Sequence, residues 1–114
     1  MKELQDKVQA FCEERDWDQF HDAKELAIGV STEAAELLEH FRFKSPAEFE
    51  AFFTDAAKKE EIEDEMADVL FFLLRMAQRY DIDLAAALEN KLVKTGKKYP
   101  VSKSKGKNIK YTDL

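Results

Sequence analysis

The chain has one cysteine, two prolines, three glycines and a single tryptophan in 114 residues. Each scarcity excludes something. Cys12 alone cannot form an internal disulfide or a zinc-spaced thiol cluster, which suits a cytoplasmic, reducing setting. So few glycines and prolines signal few turns and no Gly-rich phosphate loop. No apolar run approaches the roughly 20 residues of a membrane span; the longest, Val69 to Leu74, ends at Arg75. The start is charged at Lys2 and Glu3 and has no apolar h-region, so no signal peptide is expected. No stretch alternates with period two, which argues against strands.

What is present is charge, unevenly placed. The net charge is -6. Residues 1–90 carry 10 Lys+Arg against 23 Asp+Glu, whereas residues 91–114 carry eight Lys against one Asp. An acidic body with a basic tail is a poor general nucleic-acid binder. It suits a small polyanion held by metal on one side and lysines on the other, or simply a solubilising tail.

Apolar residues recur at helical spacing. Leu4, Val8 and Phe11 mark a helix over 3–16. Residues 17–22 read as a connector, with Asp22 as cap for a second helix over 23–43. Ser45-Pro46 stops that helix and can start a short one over 47–53. Thr54 or Asp55 caps a long helix over 56–80, and Asp83 caps another over 84–95, ended by Gly96. Residues from 97 onward read as an extended, docking tail. The expected fold is all-α, a four-helix-bundle-type domain over 1–101 with an extended Lys-rich tail over 102–114. Phe49, Phe52 and Phe53 are candidates for an oligomer interface or a lid.

Two acidic pairs organise the chain: Glu33-Ala-Ala-Glu36 in the second helix and Glu65-Met-Ala-Asp68 in the third long one. Residues three apart share a helix face, so two packed helices could aim four carboxylates at one spot. Four such charges repel, and a divalent cation would make the arrangement favourable. The alternative is two solvated acidic faces, since a chain with 24 Asp+Glu contains such pairs by chance. A di-iron bundle needs Glu-x-x-His on two helices. Leu37 stands three residues before His40, and Asp18-x-x-His21 occurs once, in the connector. Trp17 and Phe43 offer flat faces to a nucleobase, although aromatics in a small bundle are more commonly core. Lys91, Lys94, Lys97 and Lys98 could meet phosphates or pair with the acidic body.

Taken in order, Glu-Arg-Asp-Trp-Asp-Gln-Phe-His (14–21), Gly-Val-Ser-Thr-Glu-Ala-Ala-Glu-Leu-Leu-Glu (29–39), Glu-Met-Ala-Asp-Val-Leu (65–70) and Lys-Lys-Tyr-Pro-Val (97–101) resemble the MazG-like all-α nucleoside triphosphate pyrophosphohydrolase superfamily. Within it the likeness is greatest to the dCTP pyrophosphatase branch. The resemblance implies Mg²⁺-dependent hydrolysis of a nucleoside triphosphate to monophosphate and pyrophosphate, with Mn²⁺ as a substitute metal. It implies Glu33, Glu36, Glu65 and Asp68 as metal ligands and catalytic groups. Substrate contacts would fall to Trp17, His21, Phe43, Phe72, Lys91, Lys94 and Tyr99. It further implies a homotetramer, a dimer of dimers. Thr32, Ala23-Lys24-Glu25, Phe43, Phe72 and Thr95 depart from residues common in that branch, so a pyrimidine or modified dNTP is as good an expectation as dCTP. A non-catalytic helical nucleotide-binding module is the alternative reading.

Overall fold

The computed structural model describes residues 1–114 and is all-α, with no strand. It divides into an N-terminal unit, residues 1–81, and a C-terminal unit, residues 82–114.

The N-terminal unit holds α1 (Lys2–Glu14), α2 (Ala23–Glu39), α3 (Pro46–Ala51) with a 3₁₀ turn (Phe52–Thr54), and α4 (Ala56–Arg79). The starts follow local chemistry. The Asp22 carboxylate accepts from the Glu25 N–H at 2.8 Å. Ser45 and Glu48 form a reciprocal capping box with Pro46 in the first turn. Asp55, rather than Thr54, caps α4 through the N–H groups of Ala57 and Lys58. In α2 the helix stops at Glu39, four residues before the expected end. The chain then turns, and Phe43 adopts a left-handed φ of 63°.

The most extensive helix contact is α2 on α4, with α1 on α4 next. Cys12, Leu26, Ile62, Leu74 and Ala77 form the buried apolar core. Burial raises the pKa of the Cys12 thiol, which keeps it protonated and unreactive. Phe41 gathers Phe49, Phe52 and Phe53 at centroid distances of 6.0, 6.3 and 6.2 Å. The three phenylalanines expected at an interface or lid are thus packed within this unit, although Phe53 stays partly exposed.

The C-terminal unit holds α5 (Leu84–Lys98), α6 (Val101–Ser104) and a 3₁₀ turn (Tyr111–Asp113). Asp83 caps α5 as expected, accepting from Ala86 N–H at 3.0 Å. Gly96 does not end the helix. Pro100 does, because it disfavours helical geometry at the residue before it, Tyr99. The tail is not extended throughout. It returns so that Tyr111 N–H donates to the Tyr99 hydroxyl at 3.1 Å, with the two rings edge-on at 5.8 Å.

Gly29 of α2 lies under the Phe72 ring of α4. A Cβ built on Gly29 would sit 2.5 Å from Phe72 Cδ1 and 2.7 Å from its Cγ, and neither is the far end of a flexible chain. Alanine at an exposed helix position is about 1 kcal/mol better than glycine. Overpacking costs about 1–3 kcal/mol, and here it decides the sign. Gly29→Ala should destabilise the protein in urea unfolding, and in a Phe72→Ala background the same change should become neutral or stabilising. Equal effects in the two backgrounds would show that the ring does not set the helix spacing.

Candidate metal centre and its surroundings

Gly29–Phe72 fixes the register of the α2–α4 pair. Glu33 lies one turn after Gly29 and Asp68 one turn before Phe72, each about 6 Å along its helix. The helices therefore run antiparallel at this contact and bring Glu33 opposite Asp68 and Glu65. Carboxylate oxygens of Glu33, Glu65 and Asp68 lie within 4.8 Å of one another. Glu33 and Glu65 are half-buried, and Asp68 is exposed.

The charges of this group are frustrated. The Glu33 carboxyl is pushed above its usual pKa, first by burial and then by the charges of Asp68, Glu65 and Glu36, with a hydrogen bond to Glu65 adding to the effect. No Lys or Arg lies within salt-bridge distance of Glu33 or Asp68; Glu65 has only His40, at 3.8 Å. A set of hard oxygen donors short of positive charge fits Mg²⁺ or Mn²⁺. Of the four carboxylates expected to converge, three do. Glu36 is exposed and outside the 4.8 Å group, though near enough for its charge to act on Glu33.

The other expected residues are spread out. Phe43 is 88% exposed on the turn after α2, with the Arg42 guanidinium 4.6 Å over its ring. Phe43 is therefore not part of the core of this chain, and one face of its ring is covered by Arg42. Trp17 is half-buried, edge-on to Phe11 at 5.7 Å and to His21 at 5.9 Å. Phe72 packs on Gly29 and edge-on against Phe71 at 5.3 Å. Lys91 and Lys94 are exposed on α5, and Tyr99 follows its last residue; all three belong to the C-terminal unit.

Sequence reasoning passed over Arg75. It is the one fully buried charged side chain, 0% exposed. Its guanidinium donates to Asp18, to Gln78 and, through Nε, to His21 Nδ1 at 2.9 Å. Arg79 adds a contact to the Asp18 carbonyl at 3.3 Å. This anchors the connector on α4. A guanidinium has no acceptor, so His21 receives at Nδ1 and carries its proton on Nε2. The Arg75 hydrogen bond holds the Asp18 carboxyl below the usual carboxylate range. Burial, then Arg75 and Arg79, lowers the pKa of His21. An arginine set inside an apolar stretch was the available signal: Arg75 follows Val69–Leu74 directly and is followed by Met76 and Ala77.

These features define a class, an all-α domain with a carboxylate cluster at a close helix–helix contact. The comparisons narrow it. The model of the MazG-like family matches residues 28–114, and the chain belongs to that family. It is 38% identical over 104 residues to dCTP pyrophosphatase 1 of Rattus norvegicus and 32% identical to that of Homo sapiens; each alignment covers 91% of this chain and 61% of the relative. The chain thus spans about three-fifths of the length of these mammalian relatives. The crystal structure of a pyrophosphatase from Archaeoglobus fulgidus superposes with a TM-score of 0.78 at 38% identity, covering 88% of this chain and 92% of that one.

The His21 environment predicts a pH effect. Its pKa is lower folded than unfolded, so the unfolded chain binds the extra proton first. The stability tied to neutral His21 is complete above the unfolded value of about 6.5 and declines as pH falls towards the folded value. Urea unfolding across that window should show this decline, and His21→Gln should flatten it. Parallel curves for the two proteins would contradict the assignment.

Proposed function

We propose that this protein is a Mg²⁺-dependent nucleoside triphosphate pyrophosphohydrolase acting on dCTP or a related pyrimidine or modified dNTP. The observation that carries the reading is the convergence of Glu33, Glu65 and Asp68 across two helices, with burial and mutual repulsion raising the Glu33 pKa. Family membership and the names of the relatives support it.

In the proposed reaction, water oxygen bonds to the α-phosphorus and the bond to the bridging oxygen breaks. Monophosphate and pyrophosphate leave, and the water protons pass to the products and solvent. Glu33, Glu65 and Asp68, with Glu36 one turn further along α2, would hold the metal. When bound, Mg²⁺ supplies charge neutralisation and Lewis acidity at the phosphate oxygens. The protein's own groups do the rest. Phe43 gives an exposed stacking face for the base just beyond the C-terminal end of α2; Trp17 and the Nε2–H of His21 lie before its N-terminal end and would serve the site of a neighbouring copy. Phe72 contributes by holding α2 and α4 in register. In the C-terminal unit, Lys91 and Lys94, one turn apart on α5, and Tyr99 are groups that the family resemblance alone proposes for phosphate and hydroxyl contacts.

We also assign a homotetrameric, cytoplasmic state. Met66, Leu70 and Leu73 form an exposed apolar stripe on α4 at i, i+4 and i+7. Beside it, Leu4, Val8 and Phe11 of α1 help line an apolar groove of about 310 Å³ with Leu70, Phe71 and Leu74. Such a surface suits burial against further copies of the chain. No helix is long and apolar enough to cross a membrane, and the lone buried thiol suits a reducing compartment.

The test is a panel of dNTPs and NTPs with Mg²⁺, with both products identified. The expected result is monophosphate plus pyrophosphate, abolished by EDTA, with a pyrimidine dNTP preferred. Glu65→Gln and Asp68→Asn should each lower kcat at least about 100-fold with helicity intact by circular dichroism. Phe43→Ala should raise KM about tenfold, the worth of one stacked base, with kcat little changed. Orthophosphate as the product would contradict the reaction class. An unchanged KM would remove Phe43 from the base site.

A further inference from the structure

His40 follows the last residue of α2, one turn beyond Glu36, and has entered so far only as the neighbour of Glu65. Its ring sits between two groups of α4. Nδ1 lies 2.9 Å from Lys58 Nζ. Nε2 lies 3.8 Å from Glu65 Oε1, with the two side chains only 16% and 22% exposed. An ammonium can only donate, so the Lys58 contact requires a lone pair on Nδ1. The ring is then neutral, with its single proton on Nε2, the nitrogen that faces Glu65. Lys58 is itself steadied by Glu61 at 3.4 Å and by the Phe52 ring at 4.9 Å.

We propose that Lys58 and His40 form a positioning relay for Glu65. The ammonium fixes the imidazole tautomer, and the Nε2–H engages one oxygen of the Glu65 carboxylate, leaving the other for a divalent cation. This rests on the reading of Glu65 as a metal ligand. A shift of about 0.6–0.9 Å converts the 3.8 Å contact into a hydrogen bond. Groups that hold a ligating side chain in this way typically change metal affinity about 10- to 100-fold when removed. The register of the pair brings the parts together. His40 is seven residues after Glu33 and Lys58 seven before Glu65, two turns along each antiparallel helix.

Two measurements on the full chain test the relay. Long-range ¹H–¹⁵N spectra read the His40 tautomer directly. Nε2–H is expected in the wild type, and Lys58→Met should redistribute the proton between the two nitrogens. Mn²⁺ affinity by electron paramagnetic resonance reads the consequence. His40→Leu should bind about tenfold more weakly, whereas His40→Gln, whose amide still donates, should stay closer to the wild type. An Nδ1–H tautomer in the wild type overturns the relay. So does wild-type Mn²⁺ binding that His40→Leu and His40→Gln both leave unchanged. A wild type that binds no Mn²⁺ overturns the metal site itself, and the relay with it. If His40→Leu fails to fold, the His40→Gln and Lys58→Met affinities and the wild-type tautomer decide the question.

Discussion

The close approach of α2 to α4 at Gly29 and Phe72 is the constraint on which the rest depends. It is a steric fact, since the ring occupies the volume a side chain at 29 would need. From it follows the antiparallel register, and from the register the meeting of Glu33 with Glu65 and Asp68. Without that approach the carboxylates would be two separate solvated faces, and the Glu33 pKa would have no cause to rise. The same register carries His40 to Glu65 and Lys58 two turns further on.

A second device works at the opposite end of α4. Arg75 is buried among Asp18, His21 and Gln78 and binds the irregular connector to a helix. A fully buried guanidinium is tolerated only when its donors are paired, and here they are. The connector cannot easily be reshaped without leaving a buried charge unsatisfied. That gives the segment holding Trp17 and His21 a rigid footing although it has no regular secondary structure.

Much of this was legible in the sequence. Helix positions followed from apolar spacing, and Asp22 and Asp83, with Asp55 as one of two candidates, announced their caps through side-chain chemistry that needs no tertiary context. The two acidic pairs announced a shared face. What failed was what depends on neighbours. Gly96 looked like a helix end because glycine commonly is one, but nothing forces a left-handed turn there and Pro100 stops the helix instead. The expected end of α2 at residue 43 overlooked the turn that leaves Phe43 exposed. Glu36 shares a face with Glu33 in principle, yet helical rise places it one turn beyond the cluster. His40 and Arg75 acquire meaning only through partners 18 to 57 residues away in sequence, a separation local patterning does not report.

The central claim is that the carboxylate group between α2 and α4 is stabilised by a divalent cation. Thermal unfolding with and without Mg²⁺ tests it without reference to any substrate. A ligand that binds only the folded state raises the melting temperature by mass action. The account predicts a clear, saturable rise for the wild type, abolished in Glu33→Gln and Asp68→Asn, both of which should be more stable than the wild type when metal is absent because repulsion is relieved. Identical melting with and without Mg²⁺, or an equal rise in the variants, would contradict it.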